Sequence, residues 1–283
     1  MKVFATVVTE VVGGPHAWAI VFAIYTIVSV LACMGIVFTH EFPREEDEEG
    51  TGESVFSKLF AATRLLNSDP KMKYMIPLNA TFGAALAFMG SFVNGQVVHF
   101  SHKDAFVGEL TAIPPAVAAL LALMLGRVGQ VTGKGPILIG GAVSFAGFAG
   151  SYLLFPGISK SWTFLIVGYS LMGFGRATFE STLRATFADF FSHDTDGAFA
   201  NIILQSGLAS ALAFFLFPHF TCETESDYCV PYQDGSLHDV KTLERVVVAV
   251  AVSAVVCYLR AAQIDRQEKK KKREESKAKT VNN

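Results

Sequence analysis

The sequence predicts an all-α fold: a polytopic membrane helix bundle of about seven transmembrane helices. Three observations carry this. Of 283 residues, 51% are hydrophobic and only 17% charged, with mean hydropathy +0.41, whereas soluble domains carry ~25% charged residues. Apolar runs long enough to cross a bilayer, which takes ~20 residues each, recur along the chain. The remaining charge is segregated, so the net charge of −2 conceals an acidic stretch, EFPREEDEEG (41–50), and a mostly basic one, DRQEKKKKREESKAK (265–279).

The elements follow in order. Met1 to Val12 carries one Lys and a short apolar run, and GGPH follows in place of a small-residue cleavage site, so 1–38 reads as an N-terminal segment and first span rather than a leader. The spans are placed at 17–38, 74–98, 105–125, 136–156, 162–182, 198–218 and 243–261. The third holds Glu109 and the pair Pro114–Pro115, which predicts a kink. Residues 39–53 form an acidic, Gly-containing linker expected to be disordered. It is followed by SVFSKLFAATRLL (54–66), in which Val55, Phe56, Leu59, Phe60 and Leu66 share a helical stripe; this reads as an amphipathic helix in the interface, or else a surface helix of a loop domain. The domain reading is therefore 1–38, 39–73, a six-helix bundle over 74–262, and a disordered basic tail over 263–283.

Orientation comes from Lys and Arg. Seventeen lie in segments sharing a side with the C-terminus and four on the other side. The positive-inside rule then places the C-terminus in the cytoplasm. Cys33 and Cys257 fall in apolar segments and read as packing residues. Cys222 and Cys229 share a polar loop on the opposite side, where a disulfide between them can form.

Nothing in the chain reads as an enzyme or a nucleic-acid binder: there is no phosphate loop, nucleophile elbow or metal-ligand cluster, and no cofactor is implied. The seven His are scattered, and His99 and His102 sit at a helix end. Asn79-Ala80-Thr81 matches a glycosylation sequon but falls inside a span. The informative feature is the run GYSLMGFGRATFESTLRATFADFF, which places Arg176, Glu180 and Arg184 at i, i+4 and i+8 on one helix face. An ionisable residue at membrane depth costs ~2.5–3.5 kcal/mol on insertion scales, so such a row faces protein or water. It reads either as a charged network gating a vestibule or as a static ion-pair lock with Arg184 reaching the interface. Asn201 and Gln205 on the next span, and Asn79 on the second, are candidates to line the same cavity or to bond between helices. Ser206 reads as packing, and Asn94 and Gln96 as interfacial. Small-residue pairs Gly140/Ser144 and Gly147/Ser151 allow close helix approach. The basic run 269–273 is a candidate contact for anionic lipid, or a solvated topogenic tail.

The loop GRVGQVTGK (126–134), with Gly126, Arg127, Gly129, Gly133 and Lys134, resembles the cytoplasmic loop motif of the major facilitator superfamily without its acidic residue. Three passages resemble the Unc-93-like branch of that superfamily: TRLLNSDPKMKYMIPLNATFGAALAF (63–88), MGFGRATFESTLRATFADFF (172–191) and GAFANIILQSGLASALAFF (197–215). The resemblance covers about residues 17–262. It implies one helix plus the C-terminal six-helix half of a twelve-helix transporter fold. It further implies a partner for the bundle: an N-terminal half, a second copy or another membrane protein. Members of the family look like transporters and include ion-channel regulators and receptor-trafficking proteins. The branch pattern has a small acidic or amide residue, then Gln and Asn, where this chain has Arg176, Glu180 and Arg184, so the resemblance implies no particular substrate.

Overall fold

The computed structural model describes residues 55–98, 105–155, 161–221 and 238–281, with a few helical positions between 20 and 34. The linker 39–53, the Cys222/Cys229 loop and most of the first expected span lie outside the described residues.

All regular structure among the described residues is helical. The chain forms α1 (Val55–Ser68) and α2 (Pro70–Ala87), which continues as π-helix over Phe88–Val98. Then come α3 (Ala105–Leu110), α4 (Ile113–Thr132), α5 (Lys134–Leu154) and α6 (Trp162–Ala177). From α6 a π segment, Thr178–Leu183, leads without a break into α7 (Arg184–Phe190). Finally come α8 (Thr195–Thr221) and α9 (His238–Val281). Among the described residues, five helices are long and apolar enough to cross a membrane: Pro70–Gly95, Val107–Thr132, Lys134–Leu154, Thr195–Phe217 and Leu243–Thr280. The α6–α7 unit carries Arg176, Glu180 and Arg184 and falls short of that apolarity. The protein is an integral, multi-pass helix bundle.

Local chemistry explains the boundaries. Asp69, in extended conformation, caps α2 by accepting from the Lys71 N–H at 2.8 Å, and Pro70 takes the first helical position, where a missing N–H costs nothing. In the third span Pro114 and Pro115, which have no N–H to give, interrupt the i→i−4 ladder at Thr111–Ala112: Ala112 stays in αR geometry but its N–H turns to the Glu109 carbonyl, and α4 follows. The span then runs to Thr132, past the expected end at 125. The expected loop 126–135 shrinks to Gly133, whose φ of +82° reverses the chain between α4 and α5. The tail expected to be disordered is helical to Val281. Its Lys, Glu, Arg and Ala residues are good helix formers, and Lys269–Asp265 (2.8 Å) and Lys270–Glu274 (3.9 Å) are i, i+4 pairs.

The packing repeats. α2 packs on α8 and α9; α6 packs on α4 and α5; α5 and α9 pack on each other. Two three-helix units, α2–α4–α5 and α6/α7–α8–α9, thus exchange equivalent partners. Aromatic rings fill the centre: Phe82 stacks on Phe179 with centroids 5.6 Å apart, and Tyr152 meets Phe88, Phe92, Phe148 and Phe164 edge-on. α2 and α8 cross at Gly83, where any Cβ would overlap the Ser206 carbonyl. On α5 the close approach is made by Gly141 against Thr178, while Gly147 faces open space. Burial is uneven. The most apolar window of Pro70–Gly95 is 61% buried, but that of Val107–Thr132 only 22% and that of Thr195–Phe217 only 17%, so α4 and α8 stand at the rim, α4 mainly against α6 and α8 against α2 and α1.

Candidate functional site

The candidate residues fall into two groups. The first is an amide chain. Asn79 Nδ2 donates to Gln205 Oε1 at 2.8 Å, and Gln205 Nε2 donates to Asn201 Oδ1 at 2.9 Å. Asn201 Nδ2 donates to the Ala62 carbonyl at 2.8 Å and the Gly197 carbonyl at 2.9 Å. The chain runs head to tail from α2 through α8 to α1. Asn79 and Asn201 are fully buried, and Asn79 Oδ1 has no hydrogen-bond partner among the described residues. Asn79 sits nine residues into α2 and Gln205 ten into α8, so both lie ~15 Å from the bundle end marked by Lys71, near the middle of a ~30 Å hydrocarbon layer.

The second group is the charged row. Arg176 Nε donates to Glu180 Oε1 at 2.8 Å, with side chains 34% and 39% exposed. Arg184 is exposed and has no ion pair among the described residues. Glu180 therefore pairs backward to Arg176 rather than forward to Arg184. The π segment starts between Arg176 and Glu180 and widens the following turns, which displaces Arg184 from the ideal i+4 position. Glu180 stands ten residues before Phe190, about the same depth as Asn79 and Gln205. Ser206 bonds its own helix, at the Ile202 carbonyl.

Of the loop-motif residues Lys134 reaches across to another helix: its ammonium donates to Asp189 Oδ2 at 2.6 Å and to the Ala185 carbonyl at 3.0 Å, both on α7. Arg127 is exposed, and Gly126 has open space where a Cβ would stand. Asn94 accepts from the Tyr169 hydroxyl, tying the π segment of α2 to α6.

A cluster that sequence reasoning missed closes the opposite end of the same two helices. Lys71, 4% exposed, donates to Glu268 Oε2 at 2.6 Å and to the Phe190 carbonyl at 3.2 Å. It lies 3.6 Å from Asp69 Oδ2 and 5.6 Å from the centre of the Phe191 ring. One ammonium thus joins the start of α2, the end of α7 and the middle of α9. Next to it Arg64 faces Asp194 at 3.6 Å, and Asp194 caps α8 through the Gly197 N–H. In the sequence Lys71 reads only as one of several loop cations. The available signal was the triplet Asp-Pro-Lys, a cap followed by a cation where a helix begins.

The chain is similar to protein unc-93 homolog A of Xenopus laevis, 27% identical over 194 residues, which is 68% of this chain and 42% of that protein. Its similarity to the Homo sapiens protein of the same name is 26% over 194 residues. UNC93-like protein 3 of Arabidopsis thaliana is 29% identical over 161 residues, 55% of this chain and 34% of the relative. The chain is similar to unc-93 proteins. It spans about two fifths of the length of the homolog A relatives it matches. No family model and no solved structure matches it.

Proposed function

We propose that this Unc-93-like protein is a transporter-like membrane subunit whose path for solute runs along the face bounded by α4 and α8, completed by a second helix bundle. That bundle is the N-terminal half of a longer chain, a second copy or another membrane protein. The observation that carries the reading is the low burial of α4 and α8, combined with polar groups at bilayer depth that are only half covered: Arg176, Glu180 and Gln205. Such groups face protein or a water-filled space rather than lipid, and transporter sites lie near the midplane between bundles. On the count of Lys and Arg, the Lys71 end faces the cytoplasm. The test is flux into liposomes containing the chain with and without the completing bundle, screened by solute-evoked current. Solute-dependent current that Glu180→Gln abolishes supports the reading.

A second reading, a non-transporting regulatory subunit of a channel or receptor, is favoured by one observation: Gln205 bonds Asn79 on one side and Asn201 on the other, and Asn201 is tied to the Ala62 and Gly197 carbonyls, so these amides join helices. Absence of flux for every solute tried, together with stoichiometric co-purification of one channel or receptor, would replace the first reading with this one.

A further inference from the structure

The last helix outruns the bilayer. Its 44 residues are ~66 Å long, about twice the hydrocarbon thickness. Its root is held on the bundle by Asp265, 6% exposed, by Glu268 on Lys71, and by Lys269, whose ammonium lies 5.9 Å from the centre of the Phe190 ring. Continuing the same face at helical spacing gives Lys272, Ser276 and Lys279. Every residue from 269 to 280 is exposed, and Lys272, Glu275, Ser276, Lys279 and Thr280 share that face. Residues 269–279 carry seven Lys and Arg against two Glu, net +5.

We propose that this basic face is the docking surface for the chain's own acidic segment, residues 41–53. That segment lies outside the described residues. It carries seven Asp and Glu against one Arg, net −6, and so nearly matches the helix charge. It runs directly into α1, which ends at Ser68, three residues before Lys71, and Lys71 is bonded to Glu268 at the root of the basic face. Both partners therefore belong to the same end of the bundle, whatever its orientation. α1 is ~21 Å long, and thirteen extended residues reach ~45 Å, so the segment can span the distance. The tether holds it at ~mM effective concentration. A lipid surface is the competing occupant, but the face continues the side of α9 on which Glu268 meets Lys71 and Lys269 meets Phe190, so it starts on the side nearest α1 and the acidic segment that leads into it.

The experiment uses the full chain in nanodiscs of neutral phosphatidylcholine, treated with a zero-length carbodiimide that joins carboxylates to lysine amines. Peptide mapping should show intramolecular links from Glu45–Glu49 to Lys270–Lys279 at about 50 mM salt, lost at about 500 mM. In the variant E45Q/E46Q/D47N/E48Q/E49Q, trypsin should cleave at Lys270–Lys279 several-fold faster than in the native chain. Nanodiscs holding the variant should bind phosphatidylserine vesicles several-fold more tightly than those holding the native chain. Links found only between differently labelled molecules, equal cleavage of the two chains, or equal vesicle binding would each overturn the proposal, the last by leaving lipid as the occupant.

Discussion

The Lys71–Glu268 contact can be isolated by a double-mutant cycle using Lys71→Met and Glu268→Gln. The Lys71 side chain is 5% exposed and Glu268 44% exposed, with a separation of 2.6 Å. An exposed pair couples by ~0.2–1 kcal/mol, and hydrogen bonds to charged groups contribute ~1.5–3. Because one partner is buried and the other is half solvated, screening removes part of the upper figure and the expected coupling is ~1–2 kcal/mol. Glu268→Gln leaves an ammonium in the interior with Asp69 at 3.6 Å and one carbonyl; Lys71→Met removes the buried charge. The single Glu268→Gln change should therefore cost no less than the double substitution. The assay is reversible unfolding of the purified protein by SDS in mixed micelles, followed by far-ultraviolet circular dichroism. A coupling below ~0.5 kcal/mol would refute the view that this ammonium holds α2, α7 and α9 together.

Four further outcomes follow from the same geometry. Lys134→Ala should change stability by no more than ~0.5 kcal/mol in the same titration, since its pair with Asp189 is 36% and 54% exposed; a loss as large as that of Lys71→Met would contradict the distinction. Asn201→Ala should cost ~1–3 kcal/mol and Gln205→Ala ~0.6, because Asn201 makes three of the bonds in the amide chain and is fully buried; the reverse order would show that the chain does not terminate on Ala62. Gly83→Ala should cost ~1–3 kcal/mol through overlap with the Ser206 carbonyl, and normal stability would show that the α2–α8 crossing is loose. Glu180→Ala should lower membrane abundance by leaving Arg176 without its 2.8 Å partner, whereas Glu180→Gln should keep most of it; unchanged abundance of the Ala variant would count against the pair.

Hydropathy made the helices legible, because bilayer thickness dictates the length of an apolar run. Details within the helices were less so. The α2 and α8 spans end within a few residues of their expected bounds, but the break at Thr111–Ala112 and the helical tail depend on missing proline N–H donors and on side-chain pairs, which window averages do not see. Spacing alone put Arg176, Glu180 and Arg184 in register. It assumed 3.6 residues per turn throughout, and the π segment over Thr178–Leu183 breaks that assumption. Asn79, Gln205 and Asn201 stand on facing spans and are joined by hydrogen bonds. Their bonding order depends on how α1 lies against α8, a contact between residues 139 positions apart in the case of Ala62 and Asn201. Lys71 was hidden for a related reason: its acceptors come from residues 190 and 268, and a cation next to a span reads as topogenic until those ends meet.

The length of α9 has a mechanical consequence. Val281 stands thirteen residues past Glu268, ~20 Å along an unbroken rod whose fulcrum is the Lys71 contact. A rotation of only ~10° about that fulcrum sweeps the tip through ~3–4 Å, a displacement that α2 and α7 themselves would scarcely show. The helix is a pointer: small changes in angle among packed helices become distances that a pair of fluorophores at the C-terminus and on α1 can read.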